Sequence, residues 1–343
     1  WDISVRRVQT LCNEGKVDGA VLFSGVWAIP ASAEKPADHR IKTGKYIKKE
    51  EKIGPILKWA GGKTQLLTEI KSRMPNNFNK YIEPFIGGGA VFFDLEKKGS
   101  IIADANLELI NLYVQIAEEP LELISLLKKY KNEEGFFYEM RAKDWMELSP
   151  SEAAARMIYL NRTCFNGLYR LNKKGMFNTP YGRYKNPTIC DSNNLRNLSN
   201  LIKNVTFEYA DYKKSESFVN ENTFVYFDPP YRPLSITSGF TSYTKEDFND
   251  DNQKELANYF YKLDLKNAKL MLSNSNPKNV NKDDNFFENI YKGFVINEVS
   301  AKRMINANAK GRGEISELLI TNYEEQSKWE SQKNSTMKMI ALA

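Results

Sequence analysis

The order of apolar and amphipathic stretches predicts an α/β fold: a doubly wound, largely parallel sheet with one long insertion and a small N-terminal segment. Candidate strands at 81–85, 100–103, 205–209, 223–227, 268–273 and 316–321 alternate with helical stretches. Between the second and third of these lie about a hundred residues, far more than a crossover needs, so a mainly helical subdomain is inserted there. Ahead of the sheet, residues 1–40 read as a helix and a hairpin, and lysine-rich residues 41–54 as a linker. This gives a catalytic domain of 55–116 and 201–324, an insertion of 117–200 and a C-terminal tail of 325–343.

Composition narrows the function classes. A chain of 343 residues, 41% hydrophobic, can bury a substantial core, and a net charge of +6 suits an acidic partner if the charge is clustered. Cys12, Cys164 and Cys190 are far apart, and His39 is the single histidine, so neither a zinc site nor a disulfide framework is expected. No metal is expected at all, and a reducing cytoplasm fits. No apolar run reaches membrane-spanning length, and nothing reads as a secretory signal. The chain begins at Trp1 without an initiator methionine, so upstream residues are expected.

Ser4 to Gly15 reads as a short helix with Ser4 as its N-cap, and Val5, Val8, Leu11 and Cys12 on one face. The apolar runs around Ser24 and Gly25 read as a hairpin closed by Pro30. With Arg6 and Arg7 on the helix, this pair resembles the second helix and wing of an excisionase-like or MerR-like winged helix-turn-helix. That family's first helix would precede Trp1. An ordinary helix and hairpin packing on the main domain is the plainer alternative.

Inside the insertion, Ser149, Pro150 and Glu152 mark a capped helix start. The following stretch at 161–187 is dense in Asn, Gly, aromatic and basic residues and fits no single periodicity.

Two patterns carry chemistry. In YIEPFIGGGAVFFDL a strand runs into Gly87, Gly88 and Gly89 and then an apolar helix, a tight turn that lets a ligand approach the backbone. Asp104 follows at the end of the next strand, where a carboxylate can accept ribose hydroxyls. Together they indicate a bound nucleoside, a dinucleotide included. In VYFDPPY a buried strand leads to Asp228, Pro229 and Pro230 fix the backbone, and Tyr231 supplies an aromatic face. Such a segment can surround an exocyclic amino group with a carboxylate and backbone carbonyls while the tyrosine stacks on the base.

From about Ile56 to Tyr323 the chain resembles the DNA adenine-N6 methyltransferases of the Dam and DpnII type. The resemblance rests on LKWAGGK at 57–63, EPFIGGGAVFF at 83–93, ADANLEL at 103–109, CFNGLYRLNKKGMFNTPYGRY at 164–184, EYADY at 208–212, FDPPYRPLS at 227–235 and ISELLITNY at 315–323. It implies a Rossmann-like methyltransferase sheet that binds S-adenosyl-L-methionine. Trp59 and Lys63 would help close the cofactor site, Phe85 and Gly87 line it, and Asp104 hold the ribose, with Asp211 near the adenine. Glu83, Gly89 and Asp228 complete that expected set. Asp228, Pro229, Pro230 and Tyr231 would hold the target adenine. Phe165 and Asn166 match residues that enter the duplex beside the extruded base. Leu168, Arg170 and Pro180 match readers of the outer base pairs, and Lys58 a further base-contacting lysine, with Asn172 also on the recognition side. Phe165 stands where Dam has tyrosine. Because the reading positions match, the resemblance implies GATC.

The expected partners are double-stranded DNA and a cognate restriction endonuclease, with the protein a monomer in solution. Lys173, Lys174, Arg183 and Lys185 read as phosphate contacts. Cytosine C5 methylation needs a cysteine nucleophile, typically after proline, and no cysteine here follows one. N4-cytosine or RNA N6 methylation attacks the same kind of amine, but usually with Ser or Asn in place of Asp228. A DNA-binding regulator with a secondary methyltransferase lobe is the alternative from another class, and the intact Asp104 and Asp228 weigh against it.

Overall fold

In the computed structural model the chain forms two compact units, residues 1–52 and 53–343. The structure describes residues 1, 4–36, 53–59, 61–172, 174–234, 248–302 and 314–324. The linker lysines of 41–52, His39, Lys173 and the 325–343 tail lie outside the described residues.

In the first unit, helix α1 (Val5–Asn13) is capped by the Ser4 side chain, which accepts from the Arg7 amide. Strands β1 (Val21–Phe23) and β2 (Val26–Ala28) pair antiparallel. Ser24 and Gly25 both take positive φ, 48° and 82°, the handedness that a two-residue hairpin turn requires. Leu11, Cys12 and Val17 form a small core with Val8 and Trp27 against it. Val5, expected on the same face, is exposed, because the core is only three residues deep and does not reach the first turn.

The second unit is built on a seven-stranded sheet in the order β5-β4-β3-β6-β7-β9-β8. Its elements in chain order are α2 (Leu67–Arg73), β3 (Lys80–Glu83), α3 (Ala90–Leu95), β4 (Ile101–Asp104), α4 (Leu107–Glu118), α5 (Pro120–Lys129), α6 (Glu134–Ala142), α7 (Pro150–Thr163) and α8 (Ser192–Ile202). Then come β5 (Thr206–Tyr209), β6 (Thr223–Phe227), α9 (Asp250–Asp264), β7 (Lys269–Ser275), α10 (Phe286–Ile290), β8 (Val295–Lys302) and β9 (Glu314–Thr321). The first five strands of the order are parallel, and β9 runs antiparallel to both β7 and β8. Every residue of β6 is buried, as a central strand covered on both faces must be. The order reverses between β3 and β6, and such a switch point opens a crevice beyond the strand ends. β8 was not among the expected strands. It is an edge strand whose sequence, VINEVSAK, mixes polar residues into both faces, so the burial signal is weak.

The insertion is mainly helical but shares its core with the sheet. One apolar cluster runs from Tyr81, Ile102 and Phe224 on the strands through Leu112 of α4 to Phe137, Ile158 and Tyr169. Helix α7 starts as its sequence indicates, with Ser149 and Glu152 forming a reciprocal capping box and Pro150 in the first turn. Inside it, Arg156 is buried and bonds Glu108 of α4 at 2.9 Å, the Met140 carbonyl at 2.8 Å and the Arg141 carbonyl at 3.1 Å. A buried pair with its remaining donors satisfied fixes how these helices meet.

Candidate active site

At the sheet's switch point, the carboxyl ends of β3, β4 and β6 open into a cleft of about 1660 Å³. A pocket for one small ligand is typically about 300–1,000 Å³, so this cleft has room for two side by side. Trp59, Lys63, Phe85, Gly87, Asp104, Asp211, Asp228, Pro229, Pro230 and Tyr231 line it, drawn from segments that are scattered in sequence.

Gly87 makes the turn after β3 with φ 46°. A Cβ there would lie 2.8 Å from the Trp59 indole nitrogen, and one on Gly88 would lie 2.8 Å from Trp59 Cβ, so the indole packs directly on the turn. Asp104 closes the turn from β4. Its carboxylate accepts the Gly87 amide at 3.1 Å and the Asn106 amide at 2.9 Å. Burial pushes Asp104 up to about 6, and these amide bonds hold it from rising further. Phe85 stacks on Tyr212 with centroids 5.3 Å apart, and Asp211 beside it caps the following 3-10 turn. Two expected cofactor residues are not among those lining the cleft. Glu83 is buried, accepting from Tyr81 Oη at 2.7 Å, and burial raises its carboxyl well above the usual range. Gly89 is buried under the Phe93 ring at the start of α3.

Across the cleft, Asp228 leaves the end of β6 and bonds the buried Lys63 ammonium at 2.7 Å. Ser273 of β7 donates to the same oxygen, Oδ1, at 3.2 Å. Burial raises the Asp228 carboxyl and Lys63 pulls it back. The rest of the loop is held residue by residue. Gln253 of α9 donates to the Pro230 carbonyl at 2.9 Å, and the Tyr231 hydroxyl donates to Glu317 of β9 at 2.6 Å. The Arg232 amide donates to Asn274 at 3.0 Å. The Arg232 guanidinium bridges Asp250, at 2.7 Å, and Asp284, at 2.8 Å. Sequence reasoning missed Gln253, Ser273, Asn274 and Glu317, which come from α9, β7 and β9. Lys63 also donates to the Gly61 carbonyl and stands 4.5 Å from the Tyr231 ring centroid.

These bonds decide which acceptors the loop still offers. The bonds to Asp228 use Oδ1, and the Pro230 carbonyl is engaged. Among the described residues, no hydrogen bond reaches Asp228 Oδ2 or the carbonyls of Asp228, Pro229 and Tyr231, so the loop keeps a carboxylate oxygen and backbone acceptors for a ligand's N–H groups.

The segment after α7 supplies the other wall. Leu168 lines the cleft, and Tyr169, between it and Arg170, stacks on Trp59 at 5.1 Å. Tyr169 Oη also donates to Glu108 at 2.8 Å. Buried Asn161 ties Lys58 to this segment, accepting the Lys58 amide and donating to the carbonyls of Lys58, at 2.8 Å, and Gly167, at 2.9 Å. No sequence pattern pointed to it. Phe165 is 52% exposed and Asn166 takes φ 55°, its amide bonded to Tyr184 Oη at 2.9 Å. Lys58, Asn172, Arg170 and Pro180 are exposed. The Arg170 Nε donates to Asn178 at 2.8 Å, Asn172 caps the turn that carries Lys174 and Met176, and the Pro180 carbonyl accepts the Phe165 amide at 2.8 Å.

No group of three or more potential metal ligands occurs among the described residues, and no described helix is long and apolar enough to cross a membrane.

A model of the D12 class N6 adenine-specific DNA methyltransferases matches residues 59–305. A type II methyltransferase, M.MjaIII of Methanocaldococcus jannaschii, is 48% identical over 293 residues, 79% of this chain and 99% of that protein. The DNA adenine methylase of Serratia marcescens is 34% identical over 268 residues, 77% of this chain and 96% of that protein. The DNA adenine methylase of Haemophilus influenzae is 33% identical over 279 residues, 80% of this chain and 95% of that protein.

Proposed function

From the premise that this chain belongs to the D12 class N6 adenine-specific DNA methyltransferases, we propose that it takes the methyl group from S-adenosyl-L-methionine and places it on an extruded adenine in duplex GATC sites. The observation that carries this is that the Asp-Pro-Pro-Tyr loop keeps open acceptors at the cleft; in this reading Asp228 Oδ2 and the Pro229 carbonyl take the two N–H groups.

The residues of the cleft fit such a cofactor. The Gly87 turn gives close backbone approach, Asp104 can accept ribose hydroxyls, and Phe85 with Asp211 offers a flat face and an acceptor for an adenine ring. When bound, the cofactor supplies a methyl group on an electron-poor sulfonium. Adenine N6 is a weak nucleophile because its lone pair is delocalised into the ring. Two acceptors that take its two N–H bonds leave the lone pair aimed across the cleft, and the Asp228 carboxylate offsets the positive charge developing on nitrogen. Lys63 holds that carboxylate in place and favours its ionised form. Tyr231 presents its ring to the base. A paired adenine cannot reach these groups from within the helix, so extrusion is part of the reaction.

In this reading, residues 117–200 form the recognition insertion and residues 55–116 and 201–324 the catalytic domain. Phe165 and Asn166 fill the space beside the extruded base, while Lys58, Leu168, Arg170 and Pro180 read flanking pairs. Lys174, Arg183 and Lys185 meet phosphates. The named likeness to a type II methyltransferase suggests a cognate restriction endonuclease, with the enzyme acting as a monomer on cytoplasmic DNA.

The test is incubation of the protein with labelled S-adenosyl-L-methionine and plasmid DNA lacking adenine methylation, followed by mapping of methylated bases. Label on N6 of adenine within GATC is the expected result. N6-methyladenine at other sequences would remove the GATC assignment, and label on cytosine would remove the chemistry.

A further inference from the structure

Tyr231 is restrained at two places that a stacking ring does not by itself need. Its hydroxyl donates to Glu317 Oε2 at 2.6 Å, and the Lys63 ammonium stands 4.5 Å from the ring centroid. A phenylalanine would give a base the same flat area, so the hydroxyl has some other task. Glu317 is a rigid place to tie it. The residue belongs to β9, where it pairs with Ser275 of β7 on one side and Val299 of β8 on the other. It also lines the cleft, within the electrostatic reach of Asp228.

We propose that Glu317 is a positioning residue for methyl transfer: by holding the Tyr231 hydroxyl it fixes where the far end of the ring sits, and so the place of the surface against which the target adenine stacks. The proposal rests on the reading of Tyr231 as the base-stacking residue. Lys63 covers one face of the ring and a cation there is attracted to the π cloud, so one face is left for a flat partner. The same ammonium bonds Asp228. Stacking surface and amine acceptor are therefore linked through one charged group, and their separation is set before the base arrives. Glu317 supplies the remaining constraint: an acceptor at the hydroxyl stops the far end of the ring from swinging about the Cα–Cβ bond. The acceptor lies on β9, a different strand from the one that leads into the loop.

The test compares Glu317→Ala, Glu317→Gln, Tyr231→Phe and the Tyr231→Phe/Glu317→Ala pair in the full chain, with labelled S-adenosyl-L-methionine and unmethylated plasmid DNA. Glutamine keeps an acceptor for the hydroxyl and removes the charge. Glu317→Ala is expected to lower kcat about tenfold, with cofactor affinity, followed by titration calorimetry, unchanged. Glu317→Gln should restore most of the rate. Tyr231→Phe should lose as much as Glu317→Ala, and the double variant no more than either, because both remove one bond. Losses that multiply in the double variant would overturn the proposal, as would Glu317→Gln failing as badly as alanine, since the charge would then be what matters. Tyr231→Ala separates the two claims. Full activity there would remove the stacking reading itself, whereas a large loss alongside multiplying losses would remove only the role of Glu317.

Discussion

The two walls of the cleft are built differently. On the sheet side, Asp104 and Asp228 at the ends of β4 and β6, Tyr231 in the loop that follows β6, and Lys63 in the turn before α2 are each tied by one or more side-chain or backbone bonds. On the insertion side, Phe165, Arg170 and Lys58 are exposed: the Lys58 backbone is held by Asn161 and the Phe165 amide by the Pro180 carbonyl, and the Arg170 Nε rests on the Asn178 side chain. The contrast separates two tasks. Chemistry on N6 needs acceptors fixed to a fraction of an ångström before substrate arrives. Reading a groove needs long side chains that complete their bonds on the DNA, so only their starting points are fixed.

Substitutions on the two walls should therefore fail in different ways. The largest effect is expected from Asp228→Ala, which removes the amine acceptor and should lower kcat by about a thousandfold or more, roughly 4 kcal/mol of transition-state stabilisation. Undiminished kcat would place the chemistry outside this wall.

An intermediate effect concerns Asp104. Its pKa is raised to about 6 by burial, so the carboxylate form that accepts ribose hydroxyls predominates above that value and is lost as pH falls through it. Affinity for S-adenosyl-L-methionine, measured by titration calorimetry, should be flat above about pH 7 and weaken by up to about tenfold per pH unit below about pH 6. A flat profile down to pH 5 would mean Asp104 does not carry the ribose.

The smallest effect belongs to the insertion. Arg170→Ala should leave turnover at the cognate site nearly unchanged, while discrimination at one base pair relaxes by about 1–3 kcal/mol. Competition between cognate and single-substitution duplexes would measure it. A uniform loss across sequences would make Arg170 a phosphate contact instead.

The same contrast sets what could be read in the sequence. The glycine turn, Asp104 and the Asp-Pro-Pro-Tyr loop were legible because each is a local pattern that follows a buried strand. The capped start of α7 was legible for the same reason, since Ser149, Pro150 and Glu152 lie within one turn. The groups that fix the loop were not. Glu317 lies 86 residues from Tyr231, and Asn274 lies 42 from Arg232, so no local periodicity links them. Arg156 reads as an ordinary charged position on a helix, and only the meeting of α7 with α4 reveals its buried bond to Glu108. Edge strand β8 was hidden by its own exposure. Glu83 and Gly89 belong to a motif that reads as cofactor-binding, and both are buried, Glu83 on the Tyr81 hydroxyl and Gly89 against the Phe93 ring.

The most direct measurement is single-turnover transfer by Asp228→Asn protein already saturated with S-adenosyl-L-methionine and unmethylated duplex. Asparagine keeps the size of the side chain but removes its negative charge, so both ligands should bind while transfer to N6 slows by about a hundredfold or more. A normal rate of transfer from that loaded complex would contradict the role of the carboxylate, and with it the reading of the cleft.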